Sequence, residues 1–249
     1  MNQKFDAFAA LHVAGTPLIL FNAWDAGSAA TIAGAGAKAI ATGSWSVAAA
    51  YGYGDGEELP LDVALANAAA IVRAVELPVT IDFEGGYAAG GEALAANVAR
   101  LAATGAIGCN FEDRVVGGEG RYPIEEQAAR VAIVRHAAGA DFFVNARTDI
   151  FLQAKPDAHD ATLADEAIAR AHAYAEAGAS GFFVPGLVDL ALLERVCAES
   201  PLPVNAMTWP GAPSVAEFAG VGIARISHGP GPYRLAMAAL AEAARAALG

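Results

Sequence analysis

Cysteine is nearly absent from this chain of 249 residues, which has only Cys109 and Cys197. That count excludes a disulfide framework and a cysteine-based zinc site. Basic residues are scarce too: Lys and Arg number 15 against 27 Asp and Glu, a formal net charge of -12. No run of Lys or Arg occurs, so neither the basic footprint of a nucleic-acid binder nor a polybasic membrane patch is present. No apolar run reaches the roughly 18 residues of a membrane span. The opening MNQKFDAF has no apolar signal core. The expectation is a cytoplasmic protein with no nucleic-acid or membrane partner. A G-x-G-x-x-G turn is also missing. After the first apolar run stands Ala23-Trp24-Asp25-Ala26-Gly27, which argues against a doubly wound dinucleotide-binding sheet.

What the chain does have is apolar content. Hydrophobic residues make up 55% and charged residues 17%, the balance of a folded domain with a large core. Eight short apolar runs read as strands buried on both faces: Leu18–Asn22, Ala39–Thr42, Val79–Phe83, Gly108–Glu112, Phe142–Ala146, Gly181–Pro185, Pro203–Met207 and Ala224–Ser227. Helical segments follow them at 26–36, 62–76, 92–104, 123–138, 162–177, 188–199, 213–220 and 232–248. Pro60 and Pro123 mark helix starts, and Gly36, Gly105, Gly139 and Gly178 mark ends. Strict alternation of strand and helix, with no composition shift that marks a linker, predicts one α/β domain over 1–249, a (β/α)8 barrel.

Chemistry in such a barrel belongs at the C-terminal ends of the strands. Strand three ends in Asp82-Phe83-Glu84, strand four in Glu112-Asp113, and strand five in Asn145-Ala146-Arg147. Asp82 and Glu84 are two apart and share a strand face. With Glu112 and Asp113 they predict an all-oxygen cluster, suited to Mg2+ or Mn2+ rather than zinc. Arg147 offers a planar fork for a carboxylate or phosphate. The Gly43-Ser44 turn offers backbone N–H groups to an oxyanion. Trp24 and Trp45 are expected to wall the pocket, and His228, at the end of strand eight, is a candidate contact in the mouth. Arg121 lies on the Gly117–Gly120 loop as a candidate lid or a solvated arginine, and Asp25 is either a helix cap or a site residue.

These residues resemble the isocitrate lyase/phosphoenolpyruvate mutase superfamily across nearly the whole chain. The landmarks are Thr42-Gly43-Ser44, Asp82 to Tyr87 (D-F-E-G-G-Y), Phe111-Glu112-Asp113 and Ala146 to Asp149 (A-R-T-D). The stretch Gly52-Tyr53-Gly54-Asp55 matches with a one-residue insertion. The resemblance implies a barrel whose last helix is exchanged between subunits of a homodimer or homotetramer. It implies Mg2+ and a 2-oxo acid or its enolate. By position, Asp82 is the direct metal ligand, Glu84 and Glu112 act through water, and Asp55 sits near the metal or the reacting group. Arg147 grips a carboxylate, and Ser44 with its neighbours Thr42, Gly43 and Trp45 holds the oxo-acid end.

Two departures narrow the reaction. The K-K-C-G-H loop of the lyases and the Lys and Asn of the mutases are both missing from Glu112-Asp113-Arg114-Val115-Val116-Gly117-Gly118-Glu119-Gly120-Arg121. Pro185-Gly186-Leu187 replaces the P-E-A motif after strand six. Cys109 lies within strand four and reads as a core residue. The expected function is Mg2+-dependent cleavage of a C–C, or else a P–C, bond in a small 2-oxo or 2-hydroxy acid, by decarboxylation or retro-aldol lysis. The alternative is a non-catalytic 2-oxo-acid-binding protein of the same fold.

Overall fold

A computed structural model describes residues 2–115 and 117–249. Met1 and Val116, which fall within the opening and the loop read above, lie outside the described residues. The eight strands are β1 (Leu18–Leu20), β2 (Ile40–Ala41), β3 (Val79–Asp82), β4 (Gly108–Glu112), β5 (Phe143–Arg147), β6 (Gly181–Phe183), β7 (Val204–Met207) and β8 (Arg225–Ser227). All pair in parallel, in the order β1-β8-β7-β6-β5-β4-β3-β2. Between β1 and β2 the ring is joined by a bridge from Ala23 to Thr42, where the Ala23 N–H donates to the Ala41 carbonyl at 2.8 Å. The protein is a (β/α)8 barrel, as the alternation predicts.

The helices are α1 (Gln3–Ala10), α2 (Ala26–Gly34), α3 (Ser44–Ala50), α4 (Leu61–Ala74), α5 (Gly91–Ala103), α6 (Ile124–Ala138), α7 (Ile150–Gln153), α8 (Ala161–Glu176), α9 (Leu190–Glu199), α10 (Val215–Gly220) and α11 (Gly231–Leu248). Three of them were not expected. Helix α1 carries only one buried residue, Phe8, so it shows little apolar period. Phe8 belongs with Leu18, Leu20, Ala39, Ala41, Ile107 and Phe143 in one apolar cluster, which closes the bottom of the barrel. Helices α3 and α7 are short and lie at the mouth. Asp25 is the cap of α2: its Oδ1 accepts from the Ser28 N–H at 2.7 Å in a reciprocal capping box.

Alternation along each strand sorts the core. Ile81, Cys109, Phe111, Val144, Ala146, Phe182 and Ile226 face outward into the layer shared with the helices. Cys109 is a buried core cysteine, as expected. The same alternation separates two acids that the sequence groups together. Glu112 faces the mouth, whereas Asp113, one residue on, turns outward and is fully buried. Its Oδ2 meets Arg170 Nη1 at 3.0 Å and accepts from the Tyr174 hydroxyl at 3.1 Å, and its Oδ1 accepts from the Asp149 N–H at 2.9 Å. Asp113 is therefore not part of the acid cluster. It ties the end of β4 to α8.

Truncating Asp113 would strip the buried Arg170 and Tyr174 of their shared buried acceptor and leave Arg170 only the more exposed carboxylate of Glu166, 3.0 Å from its Nη2. Asp113→Ala is expected to lower unfolding free energy by roughly 3–5 kcal/mol in denaturant titration. A loss under about 1 kcal/mol would mean that the pair is not structural.

Candidate active site

The polar residues of the mouth arrive from separate elements and lock each other in place. Strand register sets Glu112 beside Arg147. Arg147 Nη1 lies 2.9 Å from Glu112 Oε2, and its Nε and Nη2 donate to the two oxygens of Asp149 at 2.6 and 3.1 Å. This is the bidentate fork on a carboxylate that arginine geometry favours. Further N–H groups on Nη1 and Nη2 remain for a ligand.

Asp82 is held from the neighbouring strand end. Its backbone N–H donates to Thr42 Oγ1 at 2.9 Å, and its Oδ2 accepts from the Ser44 N–H at 3.0 Å. Ser44 Oγ donates to Asp55 Oδ1 at 3.1 Å. The Ser44 backbone N–H, expected to receive a ligand oxyanion, is thus taken by the nearest carboxylate of the protein. Thr42 is buried and supports Asp82 rather than lining the mouth cavity.

Glu84 lies two residues beyond the end of β3 in a left-handed conformation, φ 50°, and its Oε2 accepts from the Glu57 N–H at 2.9 Å. Glu57 in turn accepts from the Tyr87 N–H at 2.8 Å. Glu57 and Tyr87 have φ of 67° and 57°, so the three described non-glycine residues with positive φ all cluster here. Such strain persists only where neighbours over-determine it. Helix α6 supplies that restraint. Arg130 donates to the carbonyls of Gly85, Ala88 and Ala89 and to Gln127, while Gln127 donates to the Glu112 carbonyl at 2.9 Å.

A cavity of about 180 Å3 opens beside Asp82 and Arg147, lined among others by Ser44, Trp45, Asp55, Asp82, Asn110 and Arg147, with Gly43 on its wall, whereas Glu84 and Glu112 line a second hollow of about 150 Å3 with Glu57. Trp24 packs instead on Tyr233. Arg121 ties its loop to α7 through Gln153 at 2.8 Å and so does not hang over the mouth. His228 is not brought to the cavity. Ser227 faces inward, so the next residue turns out, and the His228 ring packs edge-on against Phe21 at 5.1 Å.

Crowded carboxylates resist ionisation. Burial first, then Asp55, Asp82 and Glu57, pushes Glu84 up to about 8. Burial and the charge of Asp82 raise Asp55. Burial also holds Glu112 well above the usual carboxylate range, against the pull of Arg147. The donor set contains only oxygens, and the Oδ1 of Asp82 is buried without a partner. These residues fit one hard cation such as Mg2+, whose remaining positions water and a ligand would fill. Among the described residues, no three His, Cys, Asp or Glu side chains are placed to hold a metal ion together, so the protein would supply only part of its shell.

The sequence reading passed over Asn110, Asp149 and Glu57 as site residues. Asp149 ends the A-R-T-D motif and Glu57 lies two residues from Asp55, so both carried a local signal. Asn110 had only its place on the inward face of β4, in step with Glu112.

The mouth of the barrel thus gathers acids and an arginine around one small cavity. The chain belongs to the phosphoenolpyruvate phosphomutase family, whose profile matches residues 8–248. An uncharacterized protein of Mycobacterium tuberculosis strain H37Rv is 35% identical over 96% of this chain and 88% of its own. A Burkholderia cenocepacia J2315 structure, named provisionally as a phosphonomutase, is 50% identical, covers 99% of both chains and superposes with a TM-score of 0.96. Phosphonopyruvate hydrolase in complex with oxalate and Mg2+ shares the fold, with a TM-score of 0.84 at 23% identity over 97% of this chain and 85% of that one. The wider superfamily comprises lyases, mutases and hydrolases that act on C–C or P–C bonds.

Between 4.5, the ordinary Glu value, and about 8, the folded metal-free protein holds a proton on Glu84 that the unfolded chain has released. Its stability should therefore fall as pH rises through that window. Denaturant midpoints of metal-free protein across it should decline, and Glu84→Gln should flatten the decline. An identical slope in both proteins would remove Glu84 as its source.

Proposed function

We propose that this protein is a Mg2+-dependent enzyme that cleaves a C–C bond in a small 2-oxo or 2-hydroxy acid. Decarboxylation of an oxaloacetate-like diacid is the leading reaction and retro-aldol lysis its near relative. A P–C bond is the variant that the superfamily adds. The observation carrying the reading is the convergence of Asp55, Asp82 and Arg147 on one cavity of about 180 Å3.

Asp82 would hold the cation directly through its unpartnered oxygen, with Glu84 and Glu112 as outer ligands. Bound there, Mg2+ supplies Lewis-acid polarisation of the oxo group. The remaining N–H groups of Arg147 receive a substrate carboxylate, and Gly43, Ser44 and Trp45 bound the oxo-acid end. In decarboxylation the C–C bond breaks, CO2 departs, and its electron pair delocalises onto the oxo oxygen. The carbon then takes a proton. Asp55 suits that transfer, because burial and Asp82 raise its pKa, and a carboxyl that keeps its proton nearer neutrality can donate it. This gives the reaction an acid where the loop after β4 has neither the lyase cysteine nor the mutase lysine.

Pyruvate release from a panel of 2-oxo diacids, 2-hydroxy diacids and phosphonopyruvate tests the reading. Product is expected with Mg2+ and not with EDTA, and Asp82→Ala or Asp55→Asn should slow it by about 10²–10⁴-fold. No product from any acid would sink the enzymatic reading. Oxalate binding without turnover would instead make this a 2-oxo-acid-binding protein.

We also infer a cytoplasmic homodimer or homotetramer that exchanges α11. That helix buries a single residue, Pro232, and exposes Leu235, Leu240 and Leu248. The outer face of β1 correspondingly leaves Ile19 and Phe21 exposed beside an apolar groove of about 650 Å3. Among the described residues no helix is long and apolar enough to cross a membrane. Light scattering should report a dimer or tetramer that Leu235→Asp with Leu240→Asp dissociates. A wild-type monomer would overturn the exchange.

A further inference from the structure

Beneath the cavity the barrel holds a cation with almost no local partner. Arg225, on β8, is fully buried, and its Nε and Nη1 find no hydrogen-bond acceptor. A buried guanidinium is costly unless it is paired. Its guanidinium carbon stands 5.9 Å from the centre of the Phe8 ring. Its one hydrogen bond runs upward, from Nη2 to Asn110 Oδ1 at 3.1 Å. Asn145 Nδ2 donates to the same oxygen at 2.8 Å. Arginine has no acceptor, so the Asn110 atom facing it must be the carbonyl oxygen and the amide cannot be turned over. With that oxygen engaged twice, the Asn110 amide has only its N–H groups to offer a ligand. Asn110 lines the cavity alongside Asp82 and Arg147.

We propose that Asn110 is a ligand-binding residue at the cavity floor, donating to a carboxylate or oxo oxygen, and that Arg225 is the positioning residue that fixes and polarises its amide. This rests on the reading of the cavity as an oxo-acid site and deepens it. The floor selects an oxygen that only accepts hydrogen bonds. An ammonium at the same point would meet N–H donors backed by a buried positive charge, so a 2-amino acid is excluded where a 2-oxo acid fits.

Oxalate serves as the probe, titrated calorimetrically in the presence of Mg2+. Asn110→Ala and Arg225→Met should each weaken binding about tenfold or more, the effect of a lost charge-assisted hydrogen bond. The double variant should be no weaker than the worse single one, and Arg225→Lys should recover most of the loss. Melting temperature separates positioning from mere support: Arg225→Met removes an unpaired buried charge and should melt no lower than wild type. If Arg225→Met does not fold, Asn110→Ala with Arg225→Lys carries the test. Asn110→Ala binding oxalate as wild type does would then overturn the proposal. Wild-type affinity in a folded Arg225→Met would overturn it while leaving the oxo-acid reading intact. Failure of the wild type to bind oxalate would overturn both.

Discussion

Carboxyl groups that repel one another are gathered at a single end of this barrel, and much of its architecture answers that repulsion. Asp55, Asp82, Glu84 and Glu112 come from three segments, and the charge of Asp82 raises the proton affinity of each of the other three. Alone they would splay toward water. They stay because each is held by a donor that the fold supplies: Ser44 for Asp55 and Asp82, the Glu57 backbone for Glu84, and Arg147 for Glu112.

The restraint extends outward in shells. Asp149 grips Arg147, and Asp113 grips the Asp149 backbone from the opposite face while pairing with Arg170 of α8. Arg130 clamps the loop after β3, where the strained backbones of Glu84 and Tyr87 sit, and Gln127 holds the Glu112 carbonyl at the end of β4. A helix on the outside of the barrel thereby sets the geometry of acids on the inside. The result is a preorganised site in which a buried carboxylate oxygen, Oδ1 of Asp82, is left without a protein partner among the described residues. Preorganisation of this kind makes electrostatic work inside a mouth effective, since donors and charges need not rearrange when a ligand arrives.

The barrel interior is graded from end to end. An apolar plug built on Phe8 closes the bottom, a polar tier of Asn145, Asn205 and Arg225 fills the middle, and the acids and Arg147 form the rim. The middle tier is unusual for a packed barrel core, which bulky apolar side chains ordinarily fill. Its cost makes sense if it orients what lies above it. The outside is finished less completely, with the β1 face and α11 both left apolar and exposed.

The sequence by itself determined the strand count, the alternation and the rim positions of Asp82, Glu112 and Arg147. Those features follow from local period, which survives without knowledge of neighbours. It also contained the motifs whose order marks the family. It did not separate Asp113 from Glu112, because adjacent acids look alike until strand alternation turns one outward. It did not reveal that Ser44 caps a carboxylate of the protein rather than a ligand, nor that His228 packs on Phe21. Helix α1 escaped because one buried Phe8 leaves no period to read. Arg225, to the sequence one arginine in an apolar run, acquired meaning only when Asn110, on a strand 115 residues away, was brought against it. Tertiary structure decided these points because each depends on which long-range partner occupies a lone pair or an N–H, and no local pattern encodes that.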